Sequence, residues 1–83
     1  MDYYNNYMLD VYYWELTDFE KFILDCAIRI VDEREGIRKC ADNCSISKSA
    51  LHRYIHKCVP KISLELYGCV KKQFKINRDK YFR

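Results

Sequence analysis

The sequence predicts an all-α fold: a small helical bundle containing a helix-turn-helix, with a basic C-terminal helix. Three observations carry that expectation. Apolar residues recur at three- and four-residue spacing in successive segments, as on the buried stripe of an amphipathic helix. No period-two alternation marks a strand. One proline and two glycines in 83 residues leave few breaks.

Residues 1–15 form an aromatic, acidic N-terminal segment, and residues 16–83 the expected helix-turn-helix domain with its basic extension. The first segment sets Tyr3, Tyr4, Tyr7, Tyr12, Tyr13 and Trp14 among Asp and Asn without a clear period. It reads as a frayed tail or a short packing arm. So many rings seldom stay in water, so Val11 to Trp14 is expected to dock on the domain or on a second copy.

Thr17-Asp18-Phe19-Glu20 has the form of a capping box. Leu16 is placed to staple against the Lys21 stem or Phe22. Phe19, Phe22, Ile23, Cys26, Ala27, Ile30 and Val31 then give the inner stripe of a helix from about Asp18 to Glu33. Asp32-Glu33-Arg34-Glu35-Gly36 is a polar break whose glycine suits a helix end.

A second helix is expected over about Ile37 to Asn43, with Ile37, Cys40, Ala41 and Cys44 facing inward. Cys44-Ser45-Ile46 forms the turn, with Ile46 plugging the core. Ser47 caps a third helix running to about Cys58, with Leu51, Tyr54, Ile55 and Cys58 inside. Val59-Pro60 closes it, because proline disfavours helix in the residue before it. Ser63 caps a fourth helix reaching about Asn77, with Leu66, Tyr67, Val70 and Phe74 on its apolar side. The residue opening a helix-turn-helix turn usually adopts a left-handed conformation, which glycine favours. Here it is Ser45, at a cost of about 1 kcal/mol relative to glycine.

Composition narrows the function. Residues 1–34 carry three basic and eight acidic side chains, whereas residues 35–83 carry twelve basic and four acidic ones. The positive half begins where the helix-turn-helix begins, as for a protein that meets a polyanion. No apolar run is long enough to span a bilayer. The acidic, aromatic start lacks a secretory pattern, so a cytoplasmic, nucleoid-associated protein is expected. The cysteine count of five is odd, and these residues sit mostly at apolar helical positions. Reduced, buried thiols are expected rather than a disulfide framework.

The third helix is expected to present Lys48, Ser49, His52 and Arg53, with His56 and Lys57 a turn further on. Lys48 and Arg53 are long donors for guanine edges or phosphate. Ser49 suits a phosphate or a base edge, and Ala50 a thymine methyl. Lys71, Lys72, Lys75, Arg78 and Lys80 are expected to follow the phosphate backbone. Phosphate contacts should form at least half of the set. The competing structural reading is an ordinary helical hairpin within a bundle.

Cys40, Cys44, His52 and His56 form Cys-x3-Cys-x7-His-x3-His, a gap shorter than that of the usual zinc finger. On helices the cysteines face inward and the histidines outward, so no metal and no cofactor is expected. No phosphate-binding loop, zinc-protease motif or carboxylate pair supports an enzyme.

Several segments together resemble the stage III sporulation protein D family. These are Ile30-Val31-Asp32-Glu33, Ile37-Arg38-Lys39-Cys40-Ala41, Ser45-Ile46-Ser47-Lys48-Ser49-Ala50-Leu51-His52-Arg53 and Pro60-Lys61-Ile62-Ser63-Leu64-Glu65-Leu66. The family pattern has Val-Arg-x-x-Ala, then Gly-Val-Ser-Lys-Ser-Thr-Val-His, then Leu-Pro-x-Ile-x-x-x-Leu. The resemblance covers roughly residues 23–83, with Ser45 in place of the family glycine and Ala50 in place of a threonine.

The resemblance implies a sequence-specific transcription factor of endospore-forming bacteria. Such a factor binds promoter DNA in the mother cell, activating some genes and repressing others. It implies that Lys48, Ser49, His52 and Arg53, then Lys71, Lys72, Lys75, Arg78 and Lys80, carry the binding. The expected partners are double-stranded promoter DNA and, as a second candidate, RNA polymerase, with the protein a monomer or weak homodimer. The alternative is a protein-interaction module that uses the aromatic, acidic N-terminal half. Deleting residues 1–15 is the cut that should separate the two.

Overall fold

The computed structural model describes residues 2–81, with side chains through Arg78. A hairpin of two short strands, β1 (Tyr3–Tyr4) and β2 (Tyr7–Met8), leads through a 3-10 turn at Tyr13–Glu15 into four helices. These are α1 (Asp18–Asp32), α2 (Ile37–Asn43), α3 (Lys48–Ile62) and α4 (Leu64–Tyr81). The all-α class therefore holds, with a hairpin added that the lack of alternation had argued against. Its strands are too short to show a period. Asn5 and Asn6, at φ 50° and 71°, make the tight turn between them.

The capping box of α1 forms as expected. The Glu20 amide donates to Thr17 Oγ1 at 3.1 Å, and the Thr17 amide donates to Glu20 Oε1 at 2.9 Å. The buried face is wider than the sequence stripe. Leu24 and Ile28 are buried alongside Ile23, Cys26, Ala27 and Ile30, while Phe19 stays 43% exposed and meets the Tyr54 ring edge-on at 4.9 Å. The reason is that α1 packs against α2, α3 and α4. A helix enclosed on several sides needs more than one apolar stripe.

The break after α1 also differs from expectation. Arg34, at φ 52°, takes the left-handed conformation, whereas Gly36 has an extended backbone and stands as the N-cap of α2. The chain reverses two residues before the glycine. Arg29 spans the reversal, paired with Glu33 at 3.8 Å and Glu35 at 3.3 Å.

The turn between α2 and α3 follows the expected course. Ser45 sits at φ 58°. Its amide donates to the Asp42 carbonyl at 3.2 Å, and the Ile46 amide to the Ala41 carbonyl at 3.0 Å. This is the hydrogen-bond pair of a Schellman helix end, with serine where glycine is usual. Ile46 packs on the core from the turn. Ser47 then caps α3, its Oγ accepting from the Ala50 amide at 3.1 Å.

Proline does not stop α3. The helix runs past Pro60 to Ile62, because Val59 and Ile62 are both buried and the Ser63 amide still donates to the Val59 carbonyl at 2.8 Å. Pro60 forfeits one bond near the helix end, which the burial outweighs. Ser63 caps α4 through the Leu66 amide at 3.1 Å. α4 extends beyond the expected Asn77 to Tyr81.

The same corner anchors the N-terminal arm. Ser63 Oγ donates to the Met8 carbonyl at 2.7 Å, the Leu64 amide donates to Asp10 Oδ2 at 2.9 Å, and the Asp10 amide donates to the Ile62 carbonyl at 2.7 Å. Leu9 is fully buried. Docking thus occurs, but through Leu9, Tyr4, Tyr7, Val11 and Tyr13. Tyr12 and Trp14, expected to dock, stack on each other at 4.3 Å, and Trp14 is 68% exposed. Deleting residues 1–15 would strip Leu9 from the core, so that deletion does not separate DNA binding from partner binding cleanly.

Relief of the left-handed serine is measurable. Ser45→Gly should stabilise the fold by about 0.5–1 kcal/mol, seen as a rise of several degrees in Tm. An unchanged or lower Tm would show that the turn carries no such strain.

Candidate nucleic-acid interface

The N-terminal half of α3 projects from the turn with Lys48, Ser49, His52 and Arg53 exposed. Their placement follows from Ser47 as cap and from Leu51 and Ile55, which fix the opposite face in the core. Lys57 is exposed one turn further along, and Ala50 is half-buried beside the cap. On α4, Lys71, Lys72, Lys75 and Arg78 are exposed. Lys80 lies outside the residues whose side chains are described.

A groove draws part of this set together. It is walled by Arg38 and Lys39 of α2, Lys48 and His52 of α3, and Phe74, Asn77 and Arg78 of α4. Among the described residues, four permanent cations and one carboxylate, Asp42, line it. Arg38 and Lys39 were not singled out from the sequence, although their place in the first turn beside Gly36 was legible. Arg53, Lys57, Lys71, Lys72 and Lys75 do not line the groove. Arg53 lies over the Tyr54 ring at 5.6 Å and Lys71 over the Tyr67 ring at 4.9 Å. Aromatic faces thus hold two of the cations in place.

The histidines have a packing role as well. His52 Nε2 and His56 Nε2 lie 3.1 Å apart, and the His52 ring stacks on Phe74 at 5.5 Å. His56 Nδ1 is 2.6 Å from the Tyr67 hydroxyl. These contacts join α3 to α4 and leave His56 half-buried rather than free to read DNA. Burial first, then His52 and Lys71, hold the His56 imidazole below its ordinary pKa of 6.5.

The four residues of the zinc-like pattern do not meet. The two histidines pair with each other, while Cys40 and Cys44 gather instead with Cys26 of α1. All five cysteines are free thiols. Burial pushes the Cys26, Cys40 and Cys58 thiols above their ordinary range.

A second groove has the opposite polarity. Tyr4, Asp25, Arg29, Asp32 and Glu33 line it. There the Tyr4 hydroxyl donates to Asp25 at 2.9 Å and the Tyr7 hydroxyl donates to Asp32 at 2.6 Å. The Asp25 carboxylate pushes Tyr4 up to about 12. The acidic half of the chain is therefore partly engaged in holding the hairpin.

Fold and site together define a small all-α protein with a cationic face around the start of its third helix. More narrowly, the chain belongs to the stage III sporulation protein D family, whose model matches residues 17–82. That is a family of sporulation-related, DNA-binding regulators of transcription, not of enzymes. No curated protein and no solved structure matches the chain. Among the described residues, no helix is long and apolar enough to cross a membrane.

The His56 environment has a pH consequence. Because the folded state depresses this pKa, it disfavours the protonated form. The associated stability is complete above the unfolded value of 6.5 and is lost as pH falls through it. Tm should therefore drop between pH 7.5 and 5.5, and His56→Gln should shrink that drop. A wild-type Tm that is flat over this interval would contradict the assignment.

Proposed function

We propose that this chain is a sequence-specific regulator that binds promoter DNA as a helix-turn-helix protein, with α3 entering the major groove. The observation that carries the reading is the cationic groove at the base of α3, with Ser49 and Arg53 exposed beside it. Lys48, Ser49, Ala50, His52 and Arg53 occupy the part of a recognition helix that meets base edges. Arg53 is the best-placed reader, being long, exposed and outside the α3–α4 packing. Lys48, Arg38, Lys39 and Arg78 surround the groove and suit phosphates on either side of the helix. Lys57, Lys71, Lys72 and Lys75 extend the cationic track, and Lys80, whose side chain lies outside those described, is proposed to act with them.

Family membership supports a regulator acting in the mother cell of an endospore-forming bacterium. Cytoplasmic, nucleoid-associated action as a monomer or weak homodimer follows from the same reading. The exposed Tyr12–Trp14 stack on the N-terminal arm favours a secondary protein contact, for which RNA polymerase is the natural candidate.

Equilibrium binding to a panel of duplexes at several salt concentrations tests this. Arg53→Ala should cost about 1–3 kcal/mol on the preferred site and narrow the gap between sites. Lys72→Ala should weaken all sequences alike and reduce the salt slope by about one. Identical loss profiles for the two variants, or no salt dependence in the wild type, would sink the proposal.

A further inference from the structure

Three thiols that the sequence scatters over two helices converge behind the turn. Cys26 comes from α1, Cys40 from α2, and Cys44 is the C-cap of α2. Their sulfurs all lie within 4.8 Å of one another. Cys26 Sγ and Cys44 Sγ are 3.4 Å apart, and the Cys40 thiol points to the Cys26 carbonyl at 3.9 Å. In a three-coordinate site a metal–sulfur bond of about 2.3 Å sets the sulfurs roughly 4.0 Å apart. The thiols therefore stand close to the spacing one ion needs, with only small side-chain movement.

We propose that Cys26, Cys40 and Cys44 form a three-sulfur site for a soft, thiophilic cation, stapling α1 to the end of α2. The donor set selects the class of ion. Sulfur ligands favour soft ions such as Cu(I). A structural zinc site closes with four ligands, and no fourth His, Cys or carboxylate joins the three among the described residues. The site also has an entry. Cys26 and Cys40 are buried, but Cys44 is half-buried, and Cys26 and Cys44 both line the groove that holds Arg29. On binding, a Cu–S bond forms at each sulfur as its proton passes to solvent, and no electron changes hands. The Arg29 guanidinium lines the same groove, where it is already paired with Glu33 and Glu35.

The location gives the site a consequence. Cys44 immediately precedes Ser45, the left-handed residue from which the chain turns into α3. An ion held between α1 and Cys44 fixes that turn. Under the DNA-binding reading above, on which this step rests, loaded and unloaded chains should differ in DNA affinity.

The reduced, full-length chain is titrated anaerobically with Cu(I) against a chromogenic Cu(I) chelator. The expected result is one ion per chain, an ultraviolet sulfur-to-copper band and a raised Tm. Cys44→Ser, the least buried ligand, should lower affinity at least tenfold while keeping the wild-type circular dichroism, with Cys44→Ala as the alternative should serine disturb the turn. A Cys58→Ser, Cys69→Ser double variant should bind like the wild type. Undiminished binding by both Cys44 variants, loss of binding in the double variant, one ion shared by two chains, or displacement of Cu(I) by equimolar Zn(II) would each overturn the site. Binding to a DNA duplex is then compared with and without Cu(I), with at least a threefold change in Kd expected. Equal affinities would overturn the coupling, whereas absence of DNA binding in both forms would count against the functional reading and leave the ion site standing.

Discussion

The enclosure of α1 is the constraint on which the rest of the structure depends. Ile23, Leu24, Ala27 and Ile30 are fully excluded from water, and the helix packs on α2, α3 and α4. In a chain this short the core is small, so one central helix must serve every other element. Removing a large side chain from such a position costs about 2–5 kcal/mol, a large share of the stability of a small domain. The cationic face is a consequence of this arrangement. With Leu51 and Ile55 committed to the core and Val70 fixing α4, Lys48 and His52 of α3 are left to wall one groove with Phe74, Asn77 and Arg78 of α4.

The two ends of the α2–α3 turn show how local chemistry sets the start and direction of a helix. Ser47 fixes where α3 begins and Ser45 fixes the reversal before it. Ile46 between them ties the turn to the core. The start of α3 is thereby held with Lys48, Ser49 and Arg53 outward. His52 is a partial exception, since its ring also serves the packing between α3 and α4 through Phe74 and His56.

Much of this was legible in the sequence where the cause is local. The Thr17 capping box, the Ser47 and Ser63 caps, the bounds of α2 and the left-handed strain at Ser45 each depend on residues only a few positions apart. The misses have tertiary causes. Burial of Val59 and Ile62 carries α3 through Pro60. The reversal at Arg34 precedes the glycine that looked made for it. The hairpin is held by Asp25, Asp32, Ser63 and Glu65, the last accepting from the Met8 amide at 2.9 Å, all distant in sequence, although Asn5-Asn6 was a turn signal that could have been read. Arg38 and Lys39 belong to the groove because α4 packs to form its other wall, a tertiary contact. Cys26 could not be linked to Cys40 and Cys44 by spacing, because the three meet only when α1 and α2 pack.

The central claim is that the face built from the start of α3 and the adjoining cationic groove is the surface that meets DNA. Backbone amide shift mapping during titration with a short duplex at low salt tests this most directly. The account predicts that the largest changes fall on Lys48, Ser49, His52 and Arg53, with Arg38, Lys39 and Arg78 following, while the hairpin and the Asp25–Asp32 groove stay unmoved. Changes centred on Tyr12, Trp14 and the acidic groove, with α3 unaffected, would contradict it.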